Sequence, residues 1–328
     1  MSETQGSGYR VSAAFRELLP DISGNTVNGL AEPQRRPPTP IMWHNPERIA
    51  HAEVQRLIET RFATDPDLAR FHERYGGRDP AMSDLAPKSG EETTPAGRAA
   101  ALKQFALAGE ADLVGIARVD PEWVFEGYDV AEPWVVILGV RMDHGKLAEA
   151  PAMPAQVETV RQYNRGTRAA RAVANWIEAR GHGARAHGGP RAGPLSMIPA
   201  AIACGFGELG KHGSIINRTY GSSFRLASVL TDLPLVADRP DWFAADDFCM
   251  GCKLCAAACP PGAIFETKQL VRGTEKWYVD FDKCIPYFAD TCGCGICIAV
   301  CPWSRPGVAP KLAVKMTRRH EGRSKDKA

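Results

Sequence analysis

Nine of the ten cysteines in this 328-residue chain lie between Cys249 and Cys301, at spacings used for metal ligation. Cys249, Cys252, Cys255 and Cys259-Pro260 read C-x2-C-x2-C-x3-C-P, the run in which three thiolates hold one [4Fe–4S] cluster and the last serves a second. A second run, Cys294, Cys297 and Cys301-Pro302, has Thr291 where its first cysteine would stand. Its missing ligand must come from elsewhere, and Cys284 and Cys292 are the candidates. Cys292 is so near Cys294 that the short loop between them would span a cluster awkwardly, whereas Cys284 can approach from another side and is favoured. The expected ligand sets are Cys249, Cys252, Cys255 and Cys301 for one cluster, and Cys259, Cys284, Cys294 and Cys297 for the other. Cys204 stands apart from both. Paired runs of this kind carry more cysteines than a simple tetrahedral zinc site uses. Two clusters in one small module make a short electron relay.

A module of short loops and Cys-Pro pairs, from about Asp241 to Pro310, is too poor in periodicity to bury a core alone, so metal must organise it. The elements that must position an electron acceptor lie upstream. "NPERIAHAEVQRLIETRF" has Asn45 placed as a helix cap and Pro46 in the first turn. "GRAAALKQFALAGEADLVGIARV" reads as helix into strand, and "PWVVILGVRM" as a second, buried strand. A long helix is expected from about Pro154 to Ala179, with Val157, Val160, Tyr163, Ala170, Val173, Ala174 and Ile177 along one stripe. A Gly- and Pro-rich loop follows at 181–194, and "FRLASVLTDL" is strand-like. The reading is an α/β or α+β protein in four parts: an extended arm at 1–42 with at most one short helix, an α/β domain at 43–240, the cysteine module at 241–310, and a basic, frayed tail at 311–328.

Composition narrows the function classes. With 44% hydrophobic and 24% charged residues the chain is globular, and runs such as "WVVILGV" are too short to cross a bilayer, so no membrane partner is expected. A net charge of +2, with basic residues scattered except in the tail, gives no nucleic-acid footprint. Residues 1–40 hold no secretory pattern, and Arg35-Arg36 is followed by "PPTP" rather than the apolar run of a twin-arginine signal, so a cytoplasmic location is expected.

"AIACGFGELGKHGSIINRTYGSSFRLASVLTDLPL", together with "DKCIPYFADTCGCGICIAVCPWSRPG", resembles the corrinoid-dependent reductive dehalogenases and their relatives the epoxyqueuosine reductases, over roughly 100–310. The resemblance also puts the outlying ligand at Cys284, in "KCIPY". It implies a nitroreductase-like core that binds cobalamin, with the nearer cluster reducing the cobalt. There is no D-x-H-x-x-G run for a histidine below the metal; His144, in "RMDHGK", has the wrong spacing and reads as a loop histidine. That absence is compatible with a corrinoid held without a lower histidine, as the resemblance implies. Gly205, Gly207, Gly210 and Gly213 are candidate corrinoid contacts where backbone approaches a flat macrocycle, or else tight turns.

By the same resemblance, Tyr163 on the long helix matches the dehalogenases' proton donor, and Arg225 the basic residue that stabilises its phenolate. The alternative is a core tyrosine on an apolar stripe. The epoxyqueuosine reductases carry an acid in D-T-G-P, where this chain has "RAGP" with Arg191, which weakens a tRNA-modifying reading. Arg191 and His187 are candidates for binding halide or another anion, or belong to a solvated loop. The expected function is reductive dehalogenation of a small organohalide, with electrons from an external ferredoxin- or flavodoxin-type donor. The alternatives are a reductase of a non-halogenated substrate with the same cofactors, and a corrinoid-handling or electron-transfer protein without a substrate.

Overall fold

A computed structural model describes residues 8–72, 93–191 and 193–325. Along the chain run α1 (Ala13–Arg16), α2 (Gly24–Val27), α3 (Ala52–Thr64), α4 (Pro66–His72), α5 (Pro95–Ala108), β1 (Leu113–Arg118), β2 (Trp134–Arg141), α6 (His144–Leu147) and α7 (Met153–Glu178). They are followed by β3 (Ala184–His187), α8 (Met197–Ala203), β4 (Glu208–Leu209), β5 (Ile215–Ile216) and β6 (Phe224–Thr231). The cysteine module holds α9 (Ala245–Gly251), α10 (Leu254–Ala257), β7 (Gln269–Val271), β8 (Thr274–Lys276), α11 (Phe281–Asp290) and α12 (Ile296–Ala299), and α13 (Ala309–Lys325) closes the chain. Among the described residues no helix is long and apolar enough to cross a membrane.

The central sheet has the order β1-β2-β6-β3, with every neighbouring pair antiparallel. Period-two alternation splits its residues between two apolar layers. Ile116, Val136, Leu138, Ala227 and Val229 pack under α5 and α7. Ala117, Val135, Ile137, Phe224 and Leu230 pack on the other side against α8. Because both faces are covered, the strands read as near-continuous apolar runs. Within α7 the buried residues Ala170, Val173, Ala174 and Ile177 lie on the sheet, and Gly166 lets the helix approach closely, since a Cβ there would sit 3.3 Å from Ala227 Cβ. The amino-terminal half of α7 joins a different cluster through Val160, with Phe15 and Met42 of the arm, Ile58 and Phe62 of α3, and Ile285 and Ala289 of α11.

The structure departs from the sequence expectations in particular places. The arm holds two short helices instead of at most one, each capped by a serine, Ser12 or Ser23. Asn45 caps a single 3-10 turn, Pro46–Arg48, and the helix proper begins only at Ala52. The loop at 181–194 contains β3, an edge strand paired to β6. The tail is no frayed coil: α13 buries Ala309, Ala313 and Met316 against Phe243, Trp277 and Trp303. The cysteine module thereby gains apolar packing that its own short elements lack.

Candidate active site and iron–sulfur centres

Short helices and turns point the cysteines inward in two groups. Burial pushes the Cys249 thiol up to about 12, with Cys301, Cys255 and Cys252 adding to the shift. Burial likewise takes Cys301 up to about 11, with contributions from Cys255 and Cys252. In the second group burial raises Cys284 to about 12, followed by Cys259 and Cys294. Cys297 is driven up by burial first, then by Cys284, Cys294, Cys255 and Cys259. Thiols this hard to ionise become thiolates through ligation, which would release their protons. Among the described residues no three His, Cys, Asp or Glu side chains are grouped so as to hold a single metal ion. Cys292, at φ 53°, packs beside the α3–α11 cluster and is an electrostatic neighbour of neither group's shifted thiols. Cys204 is buried in the core behind the sheet, where desolvation raises it to about 12.

The first group fits an anionic cluster for a further reason. Lys211 is 1% exposed, and its Nζ has no hydrogen-bond partner. That Nζ lies 4.9 Å from the centroid of the Trp277 ring, and its charge lowers the Cys255 thiol's pKa against the dominant effect of burial. An unpaired buried ammonium costs several kcal/mol, on the order of 3–5. A cluster with four thiolates would supply the missing counter-charge. Backbone N–H groups of Lys211, Trp303 and Ser304 donate to Cys249 and Cys301, and Ala263 N donates to Cys259 Sγ at 3.3 Å, the kind of contact that tunes a cluster's potential.

The second group opens on a cavity of about 890 Å³ lined by Cys259, Cys284, Cys294 and Cys297, and by Tyr163 and Arg225 as well. Tyr163 comes from α7 and Arg225 from the start of β6, with the guanidinium carbon 5.7 Å from the Tyr163 ring centroid. Arg225 Nε is buried without a hydrogen-bond partner. The loop backbone presses on the tyrosine from behind, since a Cβ on Gly189 would lie 2.2 Å from Tyr163 Cδ1. Trp43, Phe62, Trp123 and Ile198 give the cavity an apolar wall. Among the described lining residues the only histidine is His212, whose pKa full burial drops to about 4. Ser214 N donates to its Nδ1 at 3.2 Å, so the neutral ring carries its proton on Nε2, 3.2 Å from Ser222 Oγ. Both nitrogens are thus engaged within the protein.

Of the four candidate glycines, Gly213 lines the cavity. Gly205 and Gly207 have φ of 89° and 124°, and a Cβ on Gly207 would sit 2.0 Å from Ile216 O, so backbone packing between β4 and β5 accounts for it. Gly210 faces His212 and Ile216. Arg191 does not reach this cavity: it pairs with Glu59 at 3.0 Å beside a separate cavity of about 660 Å³. His187 packs its ring against Gly193, with Nε2 buried and unpartnered. His144 lines a third cavity, of about 1050 Å³, which touches neither Tyr163 nor the cysteine thiols. Sequence reasoning missed Lys211 and Glu208. Their signal was available as two charges inside the otherwise apolar and glycine-rich stretch "AIACGFGELGKHGSII".

The fold and the cysteine module define a mixed α/β protein joined to a dicluster iron–sulfur module, and residues 248–304 match the family model described as 4Fe-4S dicluster domain. The chain is a relative of the reductive dehalogenases and, over a shorter span, of the epoxyqueuosine reductases. It is 30% identical over 218 residues to a tetrachloroethene reductive dehalogenase of Desulfitobacterium hafniense, covering 62% of this chain and 39% of that protein. It is 33% identical over 129 residues to the epoxyqueuosine reductase of Salmonella typhimurium, covering 34% of this chain and 30% of that protein. A solved catabolic reductive dehalogenase shares the fold with a TM-score of 0.74 at 24% identity, covering 94% of this chain and 48% of the other. A second, from work on B12-dependent dehalogenation, gives a TM-score of 0.71. The chain thus spans less than half the length of these relatives.

Proposed function

We propose that this protein is a corrinoid- and iron–sulfur-dependent reductase that removes halide from an organic substrate. The observation that carries the reading is the single cavity walled by Tyr163 and Arg225 and also by the four thiols of the second cysteine group. Cys249, Cys252, Cys255 and Cys301 would hold one cluster, and Cys259, Cys284, Cys294 and Cys297 the cluster beside the reaction site. A corrinoid would supply a strongly reducing, nucleophilic metal centre between that cluster and the substrate. The walls available to hold it are the turn around Gly213 and Ser214, the segment Cys294–Ile298, and β6 at Arg225. His212 has no free ring nitrogen to offer it, which favours binding without a protein histidine on the metal.

The chain's own residues divide the remaining work. The apolar wall of Trp43, Phe62 and Trp123 binds the carbon skeleton and excludes water. Replacement of a carbon–halogen bond by carbon–hydrogen consumes two electrons and one proton and releases halide. The electrons come from an external ferredoxin- or flavodoxin-type donor through the clusters. The proton comes from the Tyr163 hydroxyl, and Arg225 stabilises the phenolate left behind until solvent reprotonates it. Anaerobic reconstitution with iron, sulfide and cobalamin, followed by a halide-release screen over aryl and alkyl halides with a low-potential reductant, tests the reading. About eight irons and a retained corrinoid with stoichiometric halide release are expected. Bound corrinoid that reduces none of these halides would move the function to a non-halogenated substrate.

A further inference from the structure

The part of the cavity walled by the β7–β8 hairpin and the N-terminal arm carries more positive charge than its surroundings balance. Among the described lining residues there, Arg35, Arg36, Arg272 and Lys276 are cationic, and the cavity wall holds the single acid Glu122. Glu122 faces Arg35 at 3.8 Å, while Glu32 holds Arg36 at 2.9 Å and Glu126 faces the same arginine at 3.7 Å. Arg272 donates from Nη1 to Asn28 O at 2.6 Å, a neutral acceptor. The Lys276 ammonium has neither a hydrogen-bond nor an ion-pair partner among the described residues, although its backbone lies in the β7–β8 ladder. Burial pulls Lys276 down to about 8, with the charge of Arg272 adding, and Arg272 is itself lowered by burial and then by Arg36, with Tyr278, Glu32 and Glu126 offsetting part of the shift. These cations repel one another inside a partly desolvated wall, and an anion between them would reverse that penalty.

The site is built rather than incidental. The arm fixes the hairpin through Ala31 N to Leu270 O at 2.8 Å, Arg272 N to Gly29 O at 3.0 Å and Gly273 N to Glu32 O at 2.8 Å. Thr274 and Asn28 add neutral polar groups beside the cations. Tyr163 stands on α7 and Arg225 on β6, whereas Arg272 and Lys276 stand on the β7–β8 hairpin, so the subsite draws on a different wall of the cavity from the pair at the reacting bond. We propose that Arg272 and Lys276 form an oxyanion subsite that holds the phosphodiester of a nucleotide-bearing corrinoid. This rests on the corrinoid reading above. A phosphodiester is a permanent monoanion with two free oxygens, which suits one guanidinium fork and one ammonium.

The experiment measures dissociation constants of cobalamin and of cobinamide, which lacks the nucleotide and its phosphate, for the full chain carrying its iron–sulfur clusters. Wild type should prefer cobalamin. Lys276→Gln and Arg272→Gln should each cut the cobalamin-to-cobinamide preference by about tenfold or more while leaving cobinamide affinity unchanged, and Lys276→Arg should restore most of it. Lys276→Gln decides the matter if Arg272→Gln loosens the arm, and iron content with far-ultraviolet circular dichroism reports which has happened. An unchanged preference in Lys276→Gln overturns the subsite while leaving the corrinoid reading intact. So does an unchanged preference combined with tighter wild-type binding of a halobenzoate than of the matching halobenzene that Lys276→Gln abolishes, which would assign the cations to an acidic substrate. Failure of wild type to bind either corrinoid overturns the subsite and the parent reading together.

Discussion

Glu208 links the core to the first cysteine group, and removing its carboxylate should loosen that link measurably. Its side chain is 9% exposed. Oε1 accepts from Phe243 N at 2.8 Å and Ala245 N at 2.9 Å, and Oε2 accepts from Asp246 N at 3.2 Å. These amides open α9, whose N-cap residue Ala244 sits at φ 62° and has no side chain able to cap. A carboxylate from β4 therefore does the capping from a distance, where the helix dipole also favours a negative charge. A hydrogen bond to a charged group contributes about 1.5–3 kcal/mol, but the three share one carboxylate and are not additive. Glu208→Ala, which leaves two buried N–H groups and one half-buried N–H group without their acceptor, should cost about 3–5 kcal/mol. Against a total stability on the order of 5–15 kcal/mol this is a large fraction, and the melting temperature of the clustered protein should fall by roughly 5–15 °C. Glu208→Gln keeps one oxygen acceptor but turns an amide donor toward another amide, and should cost about half as much. Because α9 carries Cys249, the cluster held with Cys301 should be lost first, as seen by iron content and electron paramagnetic resonance. A Glu208→Ala protein that melts within about 2 °C of wild type with full iron would refute the capping argument.

Other perturbations separate the remaining assignments. Cys301→Ser should damage the cluster of Cys249, Cys252 and Cys255, and Cys259→Ser the other, while Cys204→Ser should leave both spectra intact; Cys292→Ser abolishing a cluster while Cys284→Ser does not would reverse the ligand choice. Tyr163→Phe should keep fold, iron and corrinoid yet lose single-turnover product formation by about 10²- to 10⁴-fold, and an unchanged rate would remove Tyr163 from proton transfer. Arg225→Lys should retain more of that rate than Arg225→Ala if a cation beside the phenol is what matters. Burial holds His212 near 4, below the ordinary 6.5, so between those values the unfolded chain takes up a proton that the folded one refuses, and stability falls as pH drops through that window. A shift of this size corresponds to about 3 kcal/mol, and His212→Asn should flatten the acid limb of melting temperature against pH; an unchanged limb would show that His212 does not set it.

Legibility in the sequence followed the range over which each interaction acts. The cysteine runs are local, so spacing alone identified an iron–sulfur module, and 248–304 matches a dicluster domain. The buried strands β2 and β6 and the long α7 were visible because each shows its periodicity within one segment. The short β3 was hidden because it is only four residues long, flanked by glycines, and held by ladder bonds to β6 rather than by an apolar run. The basic composition of α13 masked a narrow stripe of Ala309, Ala313 and Met316, two of whose partners, Phe243 and Trp277, lie far away in sequence. The cavity was the least legible feature, since its walls come from the arm, α7, β6, the hairpin and α11 together.

That assembly bears on why the arm and the cysteine module are folded into the core rather than tethered to it. Asn25 Oδ1 accepts from Phe281 N at 2.8 Å and from Tyr278 Oη at 2.9 Å, while Gly24 N donates to Asp282 Oδ1 at 2.7 Å. These bonds tie the arm to the start of α11, the helix that carries Cys284. Val160 of α7 packs in the same apolar cluster as Ile285 of α11, one turn of α7 from Tyr163. The distance from the second thiol group to the Tyr163 hydroxyl is therefore set by side chains packed on both helices, not by a linker. Electron delivery and proton delivery would have to converge on one bond, and a packed interface keeps them in register where a flexible tether would not.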